Sequence, residues 1–206
     1  MVYVTPEAMT YTNPFAAIVK QPLKKLPIDN LEQKFYYLQH VNSRKGRFMG
    51  TTIQAEHFTA ALNDLFDETF DNVHGYFLDR GTSLFETLAT ITAAEASIPV
   101  GGKCATLAAQ VKHISFYLDV LEKAVRTQQF ERQDWGKIWR ETSAVTPEQW
   151  EALKHDLRAS YDRIKALIAD TPAWGSEQHI GGAIAVIVHT AYHLGEIRQA
   201  LCAIKA

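Results

Sequence analysis

The sequence is poor in the features that would settle its class at once. Only two cysteines occur, Cys104 and Cys202, far apart and in no CxxC motif. A disulfide framework and a thiolate zinc knuckle are therefore excluded, and a reducing compartment, the cytoplasm, is expected. No basic start followed by an apolar run marks the N-terminus, so no signal peptide is expected. No uncharged apolar run reaches the roughly 18–20 residues of a membrane span. "IGGAIAVIVHTAYHLG" comes nearest, with two histidines that lipid would penalise. Basic clusters are absent too: "KQPLKK" is short and interrupted by Pro22, and the net charge is -2, so no nucleic-acid partner is expected. Also missing are HExxH, which disfavours a zincin-type protease, internal repeats, and any stretch of alternating strand pattern.

What remains has an ordinary soluble composition, 47% hydrophobic and 21% charged, over 206 residues. That suits one domain with an appendage. Pro6, Pro14, Pro22 and Pro27 break up the first segment and block a long helix. A short helix is expected from about Asn30 to Val41, and a break with two glycines follows. Residues 1–48 therefore read as an irregular or partly helical extension, or as the product of a misplaced start before Met49. Mass spectrometry of the native N-terminus decides that, and a peptide starting at Met1 counts against a misplaced start.

From residue 49 the periodicity is helical. A first long helix is expected from Thr52 to about Leu78, capped by Thr51 or Thr52. "LFETLATITAAEAS" reads as one short accessory helix. The second long helix spans about Thr106–Arg126. "TPEQW" then starts the third, with Thr146 as N-cap and Pro147 in the first turn, running to about Ala169. A fourth spans about Glu177–Ala203. Four long helices, one accessory helix and no strand predict an all-α bundle.

The fourth helix holds the chemistry. No Asp, Glu, Lys or Arg stands between Glu177 and Glu196. Ile180, Ile184, Ile187, Val188, Ala191 and Leu194 form one broad apolar face. The opposite face carries His189, His193 and Glu196 among small residues, which predicts burial nearly all round. His189 and His193, at i and i+4, project side by side and can converge on one ion. Buried imidazoles need partners; zinc, nickel, iron and cobalt all accept them. An HxxxH pair is by itself unspecific, and buried core histidines are the bland alternative. His113, mid-way along the second long helix among apolar neighbours, is the best third ligand. Three histidines with an open fourth position make a reactive site.

Glu196 shares that face and reads equally as a fourth ligand, a catalytic general base, an acceptor orienting a ligand, or a salt-bridge partner. Tyr117 and Tyr192 are candidate pocket donors, with core packing favoured. Trp135 and Trp139 read as packing within a loop rather than a pocket roof. Cys104 reads as an inert thiol. His57 and His155 read as surface residues, His74 as a candidate for the pocket mouth, and His40 and His179 as loop residues.

Four stretches, "GTSLFETLATI", "AAQVKHISFYLDVL", "EQWEALKHDLRASYDRI" and "AIAVIVHTAYHLGEIRQAL", together resemble the DinB/YfiT-like metalloprotein family over about residues 50–204. The HxxxHxxxIRQ pattern paired with one histidine of the second helix carries the resemblance. It implies a four-helix bundle with long crossover connections. It also implies a divalent metal (Zn, Ni or Fe) on His113, His189 and His193, and a homodimer. Many relatives have Gln where Glu196 stands. For activity it implies a thiol-dependent S-transferase, using a low-molecular-weight bacterial thiol, or a hydrolase acting on a small molecule. A non-catalytic metal-binding or ligand-sequestering stress protein is the alternative. Residues 1–48 have no counterpart in the family pattern.

Overall fold

The computed structural model describes residues 53–102, 104–127, 129, 131–170 and 175–205. The expected extension over residues 1–48, its short helix and His40 lie outside the described residues, as do the caps Thr51 and Thr52. The described chain is all-helical. In order it forms α1 (Ala55–Phe70), the short helices α2 (Leu84–Ala89) and α3 (Ala93–Ala96), a 3-10 turn (Val100–Gly102) and α4 (Leu107–Thr127). Then come α5 (Gly136–Glu141), α6 (Pro147–Ala169) and α7 (Glu177–Ile204).

Several boundaries follow from capping chemistry. Thr146 accepts from the backbone N–H of Gln149 and Gln149 bonds back to the backbone of Thr146, with Pro147 in the first turn. Ser83 with Glu86, and Thr92 with Glu95, make the same reciprocal pair. That second pair divides the expected single accessory helix into α2 and α3, because Thr92 restarts the helix at Ala93.

α1 stops at Phe70, well short of the expected Leu78, and Glu68 is the reason. Its side chain is fully buried and accepts four backbone N–H groups: His74 (3.1 Å) and Tyr76 (2.9 Å) on Oε2, Phe77 and Leu78 (both 2.7 Å) on Oε1. Those amides serve a carboxylate instead of a helix. Burial works to raise the Glu68 pKa, but the four donors outweigh it and hold the carboxyl below the ordinary range.

The long helices pack pairwise. α4 lies against α6 and α7, and α1 lies against the same two. Lys112–Asp156 (3.9 Å) and Asp119–Arg163 (2.6 Å) rise together in number, so α4 and α6 run parallel. Asp71–Arg158 and Asp67–Lys165 pair in opposite order, so α1 and α6 are antiparallel. Gln110–His193 and Tyr117–His189 make α4 and α7 antiparallel. The α1–α6 seam is aromatic: Phe66 stacks on Tyr161 at 5.0 Å, and Phe70 and Phe85 close around the same ring. On its polar edge, Asp67 accepts from Tyr161 (2.8 Å) and Lys165 (2.8 Å).

α7 overturns one expectation. It is not buried all round: Ile184 is 43%, Val188 60% and Tyr192 62% exposed. Its core face is Val186, Thr190, His193, Leu194, Ile197 and Ala200. The face read from sequence as the broad apolar one is thus partly the outer one, and the histidine side points inward. The cause is that α7 packs on α4 and α1, with α4 residues meeting its histidines and the Ile184–Val188–Tyr192 side left facing out. The helix is also long and apolar enough to cross a membrane. In this structure its inner face is packed against protein.

Candidate metal centre

α4 and α7 bring the three expected histidines together. His113 (3% exposed) and His193 (6% exposed) are buried, and His189 is half-buried. Ring centroids stand 5.1 Å apart for His113–His189, 4.8 Å for His113–His193 and 4.5 Å for His189–His193. One nitrogen from each ring lies within 4.8 Å of the others, and among the described residues this is the one His/Cys/Asp/Glu group with such convergence. The helical register explains the geometry. His189 and His193 share a face one turn apart, and antiparallel α4 delivers His113 opposite them.

The residues fit a divalent ion on three counts. First, burial keeps two of the donors, His113 and His193, neutral. Burial pushes His113 down to about 4, with His193 adding to the shift. Burial also lowers His193, against a pull upward from Glu196. Both rings therefore keep a lone pair at neutral pH, as metal ligation requires. Second, His113 Nδ1 is buried without a hydrogen-bond partner, a costly state for a polar atom. Third, His193 is already oriented. Its Nδ1 lies 2.8 Å from Gln110 Oε1 and 2.9 Å from Glu196 Oε2. A carboxylate only accepts, so Nδ1 carries the proton and Nε2 is the nitrogen left able to ligate an ion.

Glu196 is thus placed against His193, and Tyr192 also bonds to it, which raises the Tyr192 pKa. Tyr117 stacks on His189 at 3.7 Å and 19°. Burial pushes its phenol up to about 12, so it stays protonated at neutral pH. Trp135 and Trp139, expected to pack only within their loop, meet the site. Trp139 lies 4.7 Å and Trp135 6.2 Å from the His113 ring, and Trp135 also packs on Phe116 at 5.4 Å. α5 positions them, anchored by buried Ile138. The segment after it is stitched to the rest of the chain by Thr106 Oγ1 donating to Ser143 O (3.0 Å) and Val145 N donating to Ser97 Oγ (2.9 Å).

The other candidates fall away from the centre. His57 and His155 are exposed, as expected. His74 is exposed and not part of the converging group; its Nε2 pairs with Asp67 Oδ2 at 2.9 Å. His179 lies in the first turn of α7, and Cys104 is an exposed free thiol. Gln110 escaped the sequence reading. The available signal was an amide one turn before His113, among small apolar residues. The chain has no match among protein-family models, and no curated protein or solved structure matches it significantly.

Proposed function

We propose that the chain is a DinB-like metalloprotein, a four-helix bundle with long crossover connections. It binds a divalent ion through His113, His189 and His193 and acts on a small molecule at the open coordination position. The observation that carries this reading is the convergence of three imidazoles from two facing helices, one of them already oriented by a carboxylate. The parallel pairing of α4 with α6 supports the crossover topology, since parallel neighbours need a long connection.

A divalent ion in such a site acidifies a bound water or thiol and polarises an electrophile. The chain supplies the rest. Gln110 and Glu196 hold His193 in one tautomer. Tyr117 fixes the His189 ring by stacking. Trp135, Trp139 and Phe116 build an apolar wall beside His113 that limits water and suits a substrate with an apolar part. Thiol transfer and hydrolysis both fit this arrangement.

The test is metal analysis after loading with Zn²⁺, Ni²⁺ or Co²⁺ and dialysis, on the wild type and on the His189→Ala/His193→Ala double variant. The wild type retains stoichiometric metal and the variant does not; equal retention overturns the site. The loaded protein is then assayed against electrophiles with a low-molecular-weight thiol, and against esters and amides without one. Turnover abolished by chelation supports an enzyme, and no turnover in either panel leaves a binding protein.

A further inference from the structure

Among the groups around the triad, one residue has no role in the reading above beyond holding a ring, yet its position is specific. Gln110 sits on α4 one turn before His113, and its Oε1 reaches across the helix interface to His193 Nδ1 at 2.8 Å. The same N–H also faces Glu196 at 2.9 Å. One proton therefore has two acceptors, and they differ in kind. Glu196 comes from His193's own helix, three residues on, with its side chain 37% exposed. Gln110 comes from the helix that carries His113, and it is half-buried.

A contact three residues along one helix fixes the ring relative to that helix only. It says nothing about where the third ligand stands. The Gln110 contact is different, because its backbone is one turn from that of His113. It ties the His193 ring to the helix presenting the opposing ligand. We infer that Gln110 is a positioning residue that sets the spacing of His193 against His113 across the α4–α7 interface, so that Nε2 faces the point where the three rings converge. Glu196 by itself does not set that spacing. This inference rests on the metal-site reading above.

The test uses Gln110→Leu, which keeps the bulk and removes the acceptor. Gln110→Asn keeps the amide one methylene short, and Gln110→Glu keeps an acceptor at the same reach. Thermal melts of the metal-free proteins establish which variants fold. Two readouts follow. Imidazole ¹⁵N spectra of the metal-free protein report the His193 tautomer: Nδ1–H dominates in the wild type and in every variant, because Glu196 still accepts from it, so a loss of metal binding reads as lost placement and not as a changed tautomer. Competition for Zn²⁺, with the Co²⁺ visible spectrum as a geometric signature, reports the site. Gln110→Leu and Gln110→Asn weaken binding by roughly 10-fold or more, the scale for residues that orient metal ligands, and alter the Co²⁺ spectrum. Gln110→Glu restores both.

Wild-type affinity and an unchanged Co²⁺ spectrum in a folded Leu or Asn variant overturn the role of Gln110 while leaving the triad intact. A wild-type protein that binds neither ion overturns the triad, and the positioning role with it. Loss of binding in Gln110→Glu equal to that in Gln110→Leu also overturns the inference, since acceptance at Nδ1 is then not what matters.

Discussion

At the scale of single residues, polar side chains decide where this backbone goes. Glu68 is the clearest case. A glutamine at this position has the same shape but offers one oxygen and one NH₂ group, so two of the four backbone donors would face another donor. Glu68→Gln should cost about 1–3 kcal/mol at neutral pH, the penalty for stranded buried polar groups, measured by urea denaturation. The pH dependence has a defined sign. The folded pKa lies below the unfolded one, so the stabilisation is present above roughly pH 4.3, where unfolded glutamates titrate, and is lost as pH falls through the folded pKa. The wild type should lose stability more steeply than Glu68→Gln below that pH; parallel curves would contradict this account. His189 and His193 were legible from spacing and from the uncharged helix around them, and His113 from its place among apolar residues mid-way along α4. Gln110, Trp135 and Trp139 were not, because their link to the site exists only through the packing of α4 on α7 and on α5.

At the scale of elements, α4, α6 and α7 were legible to within a residue or two. Their ends are written locally: Thr146–Pro147 opens α6, and Ser176 accepts from His179 at the start of α7. The end of α1 was hidden because its stop signal, Glu68, acts on amides six to ten residues later. The orientation of α7 was hidden because both of its faces are mainly apolar, so hydrophobicity alone does not choose between them; packing on α4 and α1 does. Two isoleucines of this helix test the orientation. Ile197 is fully buried and Ile184 is 43% exposed. Ile197→Ala should destabilise by about 2–5 kcal/mol, the range for a buried large-to-small change. Ile184→Ala should stay within roughly 0.5 kcal/mol, as surface changes do. Equal losses in thermal or urea melts would mean that the outer stripe is covered in solution.

At the scale of the whole molecule, an ion on the triad would join α4 to α7, two segments distant in sequence. Its binding free energy then becomes folding free energy. With free ion at 1,000 times its Kd the gain is about 4 kcal/mol, and each kcal/mol raises Tm by roughly 2–4 °C in a domain of this size. Adding Zn²⁺ should raise the melting temperature and chelation should reverse it, with no response in His189→Ala/His193→Ala; a wild-type Tm indifferent to both would contradict the coupling. The Glu68 clamp has a consequence at this scale too. Tyr76 and Phe77 are among the more exposed large side chains of the chain, yet their amides are held from inside by a carboxylate of α1. Close by, Asp71 pairs with Arg158 of α6 at 2.7 Å. Freeing those amides means leaving the buried Glu68 carboxylate without its donors. In hydrogen exchange, this surface loop should therefore behave like interior helix, its amides opening with the global unfolding of the protein and not with local fraying.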